Sequence, residues 1–161
     1  MASFELNRYE EFTSRIPDSA LVIRLVENAK YTLQDILDDM VDMCERQGVA
    51  VDGRLASDLG FIRRDLDNVC GAFVRLEENP APANCQALSD CFRTYKGYVS
   101  GFENHCIFTM RSPMRLQVLP SCYALYYQCF IIYHMIEATI KIYLRKHPDF
   151  VLRGGFPYYN T

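Results

Sequence analysis

The sequence predicts an all-α protein: a single-domain bundle of six to eight helices around one buried apolar helix. Three observations predict it. Between its Pro and Gly marks the chain follows a helical period nearly everywhere. No stretch alternates with period two for long, and no Asn-Gly or Asp-Gly lies between alternating segments as a hairpin turn (Asp52-Gly53 precedes a helix). Finally, 161 residues, 50% of them apolar and 23% charged, suffice for one packed core but not comfortably for two.

The elements follow in order. Residues 4–15 read as a short first helix. Asp18 or Ser19 then stands as an N-cap. Leu33, Ile36, Leu37, Met40, Val41 and Cys44 share one face of a helix over residues 19–47, with Asp35, Asp38, Asp39 and Asp42 on the other. Gly48 is a natural stop. Leu55, Leu59, Ile62, Leu66, Val69, Phe73 and Leu76 then alternate steps of four and three, with Ser57 or Asp58 as a cap and Asn79, Pro80 and Pro82 as the end. Residues 84–98 form the next helix, with Leu88, Cys91, Phe92 and Tyr95 on one face. Residues 99–112 are apolar but interrupted by Glu103, Asn104 and His105. Pro120 suits the start of a long helix running to about His147, where Pro148 ends it.

Charge narrows the function. The net charge is −3, which argues against a dedicated nucleic-acid binder; only Arg145, Lys146 and Arg153 cluster at all. The balance is uneven: residues 1–80 hold 16 acids and 9 bases, residues 81–161 hold 4 acids and 8 bases. Residues 1–20 lack the apolar core of a secretory signal, so a reducing compartment is expected, and the seven cysteines read mostly as buried thiols. Residues 122–144 are long and apolar enough to raise the question of a membrane span. Gln128, His134, Glu137 and Lys141 are spread along them, and each ionisable group would cost about 2.5–3.5 kcal/mol at mid-bilayer. A buried helix is the expectation, with no integral membrane span.

Catalytic and metal-binding patterns do not emerge. There is no glycine-rich phosphate loop, no His-Glu-x-x-His and no Cys-x-x-Cys. The steps Cys85 to Cys91 and Cys122 to Cys129, and the adjacent His105-Cys106, do not match zinc spacing. Neither an enzyme nor a cofactor is expected.

Two stretches carry a family resemblance. Ile62-Arg-Arg-Asp-Leu66-Asp-Asn-Val69-Cys70-Gly71-Ala72-Phe73 resembles the third homology region of the B-cell lymphoma 2 (Bcl) family of apoptosis regulators. That region has four apolar anchors spaced four, three and four; here they are Ile62, Leu66, Val69 and Phe73, with Cys70 as the small residue and Gly71 where aspartate is usual. The same spacing is also that of an ordinary amphipathic helix. Tyr143-Leu144-Arg-Lys-His147-Pro-Asp-Phe150-Val-Leu-Arg-Gly154-Gly155-Phe156 is similar to the end of the family's sixth helix and its second homology region, with Phe150 and Phe156 for tryptophans in a chain that has none. The first homology region is best placed at Phe92 and Val99-Ser100-Gly101-Phe102, where Phe102 stands in for the family's ligand-pairing arginine. Binding without that arginine would have to lean on apolar anchors, or on a nearby base such as Arg93, Lys96 or Arg111.

The resemblance implies an inhibitor of apoptosis. It would sequester the amphipathic BH-three helix of pro-apoptotic Bcl-family proteins in a hydrophobic groove. Leu66, Val69, Phe73 and Leu76 would form one wall, Leu88, Phe92 and Tyr95 the other, and Val99, Gly101 and Phe102 the floor. A divergent member without a C-terminal anchor looks most like homologues encoded by large DNA viruses, acting in the host cytoplasm or peripherally at mitochondria. The tyrosine-rich long helix (Tyr123, Tyr126, Tyr127, Tyr133) exceeds what a core needs, and an exposed remainder would make a homodimer face. The rival from another class is a helical viral accessory or scaffold protein that oligomerises through that helix and has no ligand groove.

Overall fold

The computed structural model describes residues 18–48, 50, 53–105 and 114–154. The expected helix over residues 4–15 lies outside them, as do Arg111, Gly155 and Phe156. The described residues form four helices: α1 (Ser19–Gln47), α2 (Gly53–Glu78), α3 (Pro82–Phe102) and α4 (Met114–Lys146). The all-α class holds, but with four helices rather than six to eight among the described residues.

Local chemistry explains most of the ends. The Asp18 side chain accepts a hydrogen bond from the Ala20 N–H at 3.0 Å and caps α1. Gly48 adopts φ 64°, a left-handed turn that costs glycine little, and its N–H returns to the Cys44 carbonyl. Helix α2 begins at Gly53, ahead of the expected caps Ser57 and Asp58. The turn after α2 is held by Asn84 Nδ2, which donates to the Asn79 carbonyl at 2.8 Å, and Pro82 occupies the first turn of α3. Helix α3 runs past residue 98 to Phe102 and so absorbs part of the stretch read as separate. Helix α4 starts at Met114 and carries Pro120 inside it, correcting its reading as the first turn. The lost N–H leaves one carbonyl of the preceding turn without its helical donor.

Neighbours in sequence pack antiparallel. Ser19, at the start of α1, donates through N and Oγ to the Glu77 carboxylate at the end of α2 (2.9 and 2.8 Å). Further along, Lys30 pairs with Asp67 at 2.9 Å and Arg63 donates to Gln34 Oε1 at 2.9 Å. Phe61 of α2 stacks on Tyr98 of α3 at 4.7 Å. Tyr95 Oη of α3 donates to the Cys129 carbonyl of α4 at 2.6 Å. Helix α4 packs back on α1, so the four form a closed up-down-up-down ring. The core runs through its centre, from Val22, Leu33 and Met40 through Ile62 and Phe92 to Leu125 and Ile136. The apolar helix α4 is therefore one corner of the bundle and not a central helix wrapped by the others. No described helix is long and apolar enough to cross a membrane.

Candidate functional site

The residues expected to line a groove meet inside the bundle. Leu66, Val69, Leu88, Phe92, Tyr95 and Phe102 are fully buried, as are Phe73 and Leu76 within 3%, and Val99 is 7% exposed. Leu66, Val69, Phe73 and Leu76 come from α2 and the rest from α3, the two helices that face each other along one seam. A ligand helix would reach these side chains only once α2, α3 and α4 parted. Gly101 is half-buried, with nothing within 4 Å of where a Cβ would stand. Of the expected second-region residues, Phe150 is half-buried and meets the Tyr143 ring edge-on at 6.0 Å. Gly154 adopts φ 79° and lies against the Arg93 guanidinium. The segment between them is fastened to α3: the Arg153 N–H donates to Gln86 Oε1 at 2.8 Å, and Arg93 Nη2 donates to the Arg153 carbonyl at 3.4 Å.

The outer side of α4 is different. Tyr123 is 40% exposed, Tyr127 61% and Ile131 50%. They belong to a stretch with no Asp, Glu, Lys or Arg from Leu116 to Ile136. Their neighbours form a run of aromatic contacts. Tyr126 meets Tyr127 at 5.9 Å and Phe130 at 6.1 Å, Phe130 meets the His134 ring edge-on at 4.4 Å, and Tyr133 joins Phe130 to Phe92 of α3. Helical spacing brings these rings together: steps of three and four place Tyr123, Tyr127, Phe130 and His134 on one side. Val118, Cys122, Leu125, Cys129, Ile132 and Ile136 occupy the opposite side and are buried. The arrangement offers apolar area and aromatic edges, with no charged group among them.

The thiols fit a structural role. Cys85, Cys122 and Cys129 are buried, while Cys44, Cys70 and Cys91 are half-buried. Burial pushes the Cys85 thiol up to about 11 and the Cys129 thiol up to about 12, so both stay protonated and poorly nucleophilic at neutral pH.

Two polar residues were missed. Asp65, only 2% exposed, and Gln86, at 6%, are buried between α2 and α3 and beside Arg153 respectively. A signal for Asp65 was present: it lies three residues after Ile62 and four before Val69, on the apolar side of α2. Compared with protein-family models, with curated proteins and with solved structures, the chain matches none of them.

Proposed function

We propose that the chain is a non-enzymatic helical interaction protein that assembles with a second copy of itself through the outer side of α4. The carrying observation is the exposure of Tyr123, Tyr127 and Ile131 within the uncharged stretch from Leu116 to Ile136. Aromatic residues of this kind are the anchors of protein interfaces, and burying them removes apolar area from water at roughly 25 cal/mol per Å². A second copy is the favoured occupant because an uncharged face asks no opposite charge of its partner. One face packed on itself about a two-fold axis is also the commonest closed assembly. Sedimentation velocity tests the reading. The chain should sediment as a dimer, Tyr127→Glu and Ile131→Glu should yield monomers of unchanged helicity, and Tyr31→Glu, on an exposed position of α1, should leave the dimer intact. A monomer across the micromolar range would sink it.

The second reading is the one the family resemblance implies, sequestration of a pro-apoptotic BH-three helix. Two observations support it. Ile62, Leu66, Val69 and Phe73 follow one another along the buried side of α2, and the segment ending at Gly154 folds back on α3. The site of action would be the host cytoplasm or the periphery of mitochondria. Because the anchors are buried, binding would have to open the seam between α2 and α3. Calorimetric titration with a panel of such peptides decides it. Submicromolar binding that disappears when the peptide's second anchor leucine becomes glutamate supports sequestration, and no binding by the folded protein removes it.

A further inference from the structure

Past the end of α4 the chain turns and lies along α3 as a strap. Pro148 and Asp149 are exposed turn residues, and the Phe150 N–H closes the turn on the His147 carbonyl at 3.0 Å. Residues 151–153 then alternate as an extended segment does. Val151 is 81% exposed, Leu152 is 6% exposed and packed into the core, and Arg153 is exposed. The seat beneath them is built by α3. Gln86, itself buried, offers both edges of its side-chain amide to the main chain of Arg153. Its Oε1 accepts from the N–H at 2.8 Å and its Nε2 donates to the carbonyl at 3.4 Å. Arg93 Nη2 donates to the same carbonyl at 3.4 Å, and Gln86 Nε2 is steadied by Asp90 Oδ1 at 2.9 Å. Gly154 then leaves the seat at φ 79°, against the Arg93 guanidinium.

The seat therefore reads a backbone, as a sheet edge reads an added strand. It asks for one buried leucine, the N–H and carbonyl of the residue after it, and a glycine free to take a positive φ. The hold is light. One buried apolar side chain, the half-buried Phe150 ring and three hydrogen bonds to side chains fasten the strap, two of those bonds at 3.4 Å. Segments held this way open at a fraction of the free energy of the whole fold. Once the turn at Pro148 straightens, residues 147–154 span roughly 26–29 Å, against about 8–10 Å between packed helix axes, so the strap can reach a neighbouring bundle. A second copy carries the same strap and the same seat, and exchange between copies re-forms each contact without a new surface. We propose that the seat on α3 is an exchangeable docking site, closed in cis by residues 150–154 and filled in trans by the strap of a second copy. The exchange does not rest on self-assembly through α4, because it uses other residues.

Nuclear magnetic resonance titration of the full chain tests it, with Tyr127→Glu present throughout so that α4 cannot hold two copies together. Two further variants eject the strap and leave the seat: Leu152→Glu, which removes the buried anchor, and Gly154→Val, which forbids the positive φ. Both lie outside the helices, and either one alone suffices. The probe is a capped peptide of residues 147–154. The expected result is saturable shifts at the Gln86 side-chain amide and at the Asp90 and Arg93 backbone amides of the ejected variants. The chain with its own strap seated should bind the peptide at least about tenfold more weakly, because its seat is already filled. The same peptide with Leu152→Glu should give no shifts. Chains are then mixed: labelled Leu152→Glu, with an intact seat, and unlabelled Gln86→Ala, with an intact strap and a broken seat. The mixture should reproduce the peptide's shifts at Gln86, and neither variant should associate alone. No shifts with the peptide in either ejected variant, or equal shifts with its Leu152→Glu form, would overturn the proposal. Peptide binding without association of the mixed chains would also overturn it, by removing the second copy as occupant. If self-assembly through α4 is itself wrong, Tyr127→Glu changes nothing here and each outcome keeps its meaning.

Discussion

Asp65 shows how one residue couples burial to pH. Desolvation raises its carboxyl above the ordinary value, with Arg64 opposing only in part. The folded state therefore holds the proton more tightly than the unfolded chain. Stability attributable to this group is fullest below the unfolded value near 3.8, falls as pH rises through the folded value, and stays at its lower level above it. Asp65→Asn removes that loss, so its thermal midpoint should exceed the parent's at pH 7 by a few degrees and by less at pH 3, as read by circular dichroism. An equal or lower midpoint at pH 7 would mean that the Arg64 contact outweighs the desolvation. At Gly154 the constraint is steric. Its φ of 79° is strained for any other residue, and an added methyl would run into the Arg93 guanidinium. Gly154→Ala should cost about 1–2 kcal/mol locally, and exchange of the Arg153 amide, which donates to Gln86, should quicken about tenfold or more. The glycine was legible as part of a Gly-Gly motif, but its partner Arg93 was not. A contact across 61 positions of sequence leaves no periodic trace.

The helices differ in how much of them was legible, and the reason is capping. Helix α1 was readable to the residue because Asp18 and Gly48 satisfy its end groups from within the local sequence. Helix α4 was not. Its start at Met114 lies upstream of Pro120, and proline marks a first turn more often than a helix interior, so packing against α1 and α3 has overridden the local preference. Nor does its sequence tell the inner side from the outer. Apolar residues surround the helix, and only the bundle decides that Cys129 faces in while Tyr127 faces out. Glycines within α2 and α3 mark where helix propensity was left unused. Gly60 and Gly97 are exposed, interior to their helices, and have nothing within 4 Å of a built Cβ. Gly60→Ala and Gly97→Ala should each raise the unfolding free energy by about 0.5–1 kcal/mol in urea titration, with an unchanged denaturant slope. Loss of stability at either position would mean that the helix interior there is not regular.

On the scale of the whole molecule, the decisive property is how apolar surface divides between inside and outside. The groove expected from sequence and the aromatic side of α4 carry similar side chains, yet the bundle buries the first and exposes the second. Phe73 is 1% exposed, against 61% for Tyr127. The same chemical change therefore has opposite consequences at the two positions. Phe73→Glu places a carboxylate in the centre of the ring without a partner and removes the filling between α2 and α3, a loss of about 3–5 kcal/mol before the charge is counted. A domain with the usual stability of about 5–15 kcal/mol would lose much or all of its fold. Tyr127→Glu changes only what water or a second copy meets. Circular dichroism should show Phe73→Glu with strongly reduced helicity and Tyr127→Glu with parental helicity, while sedimentation separates Tyr127→Glu from the parent by oligomeric state alone. If Phe73→Glu instead kept full helicity, α2 and α3 would be able to part in the native state. A seam that opens at that cost could admit a ligand helix onto Leu66, Val69 and Phe92, and the weight would move from self-assembly on α4 to sequestration between α2 and α3.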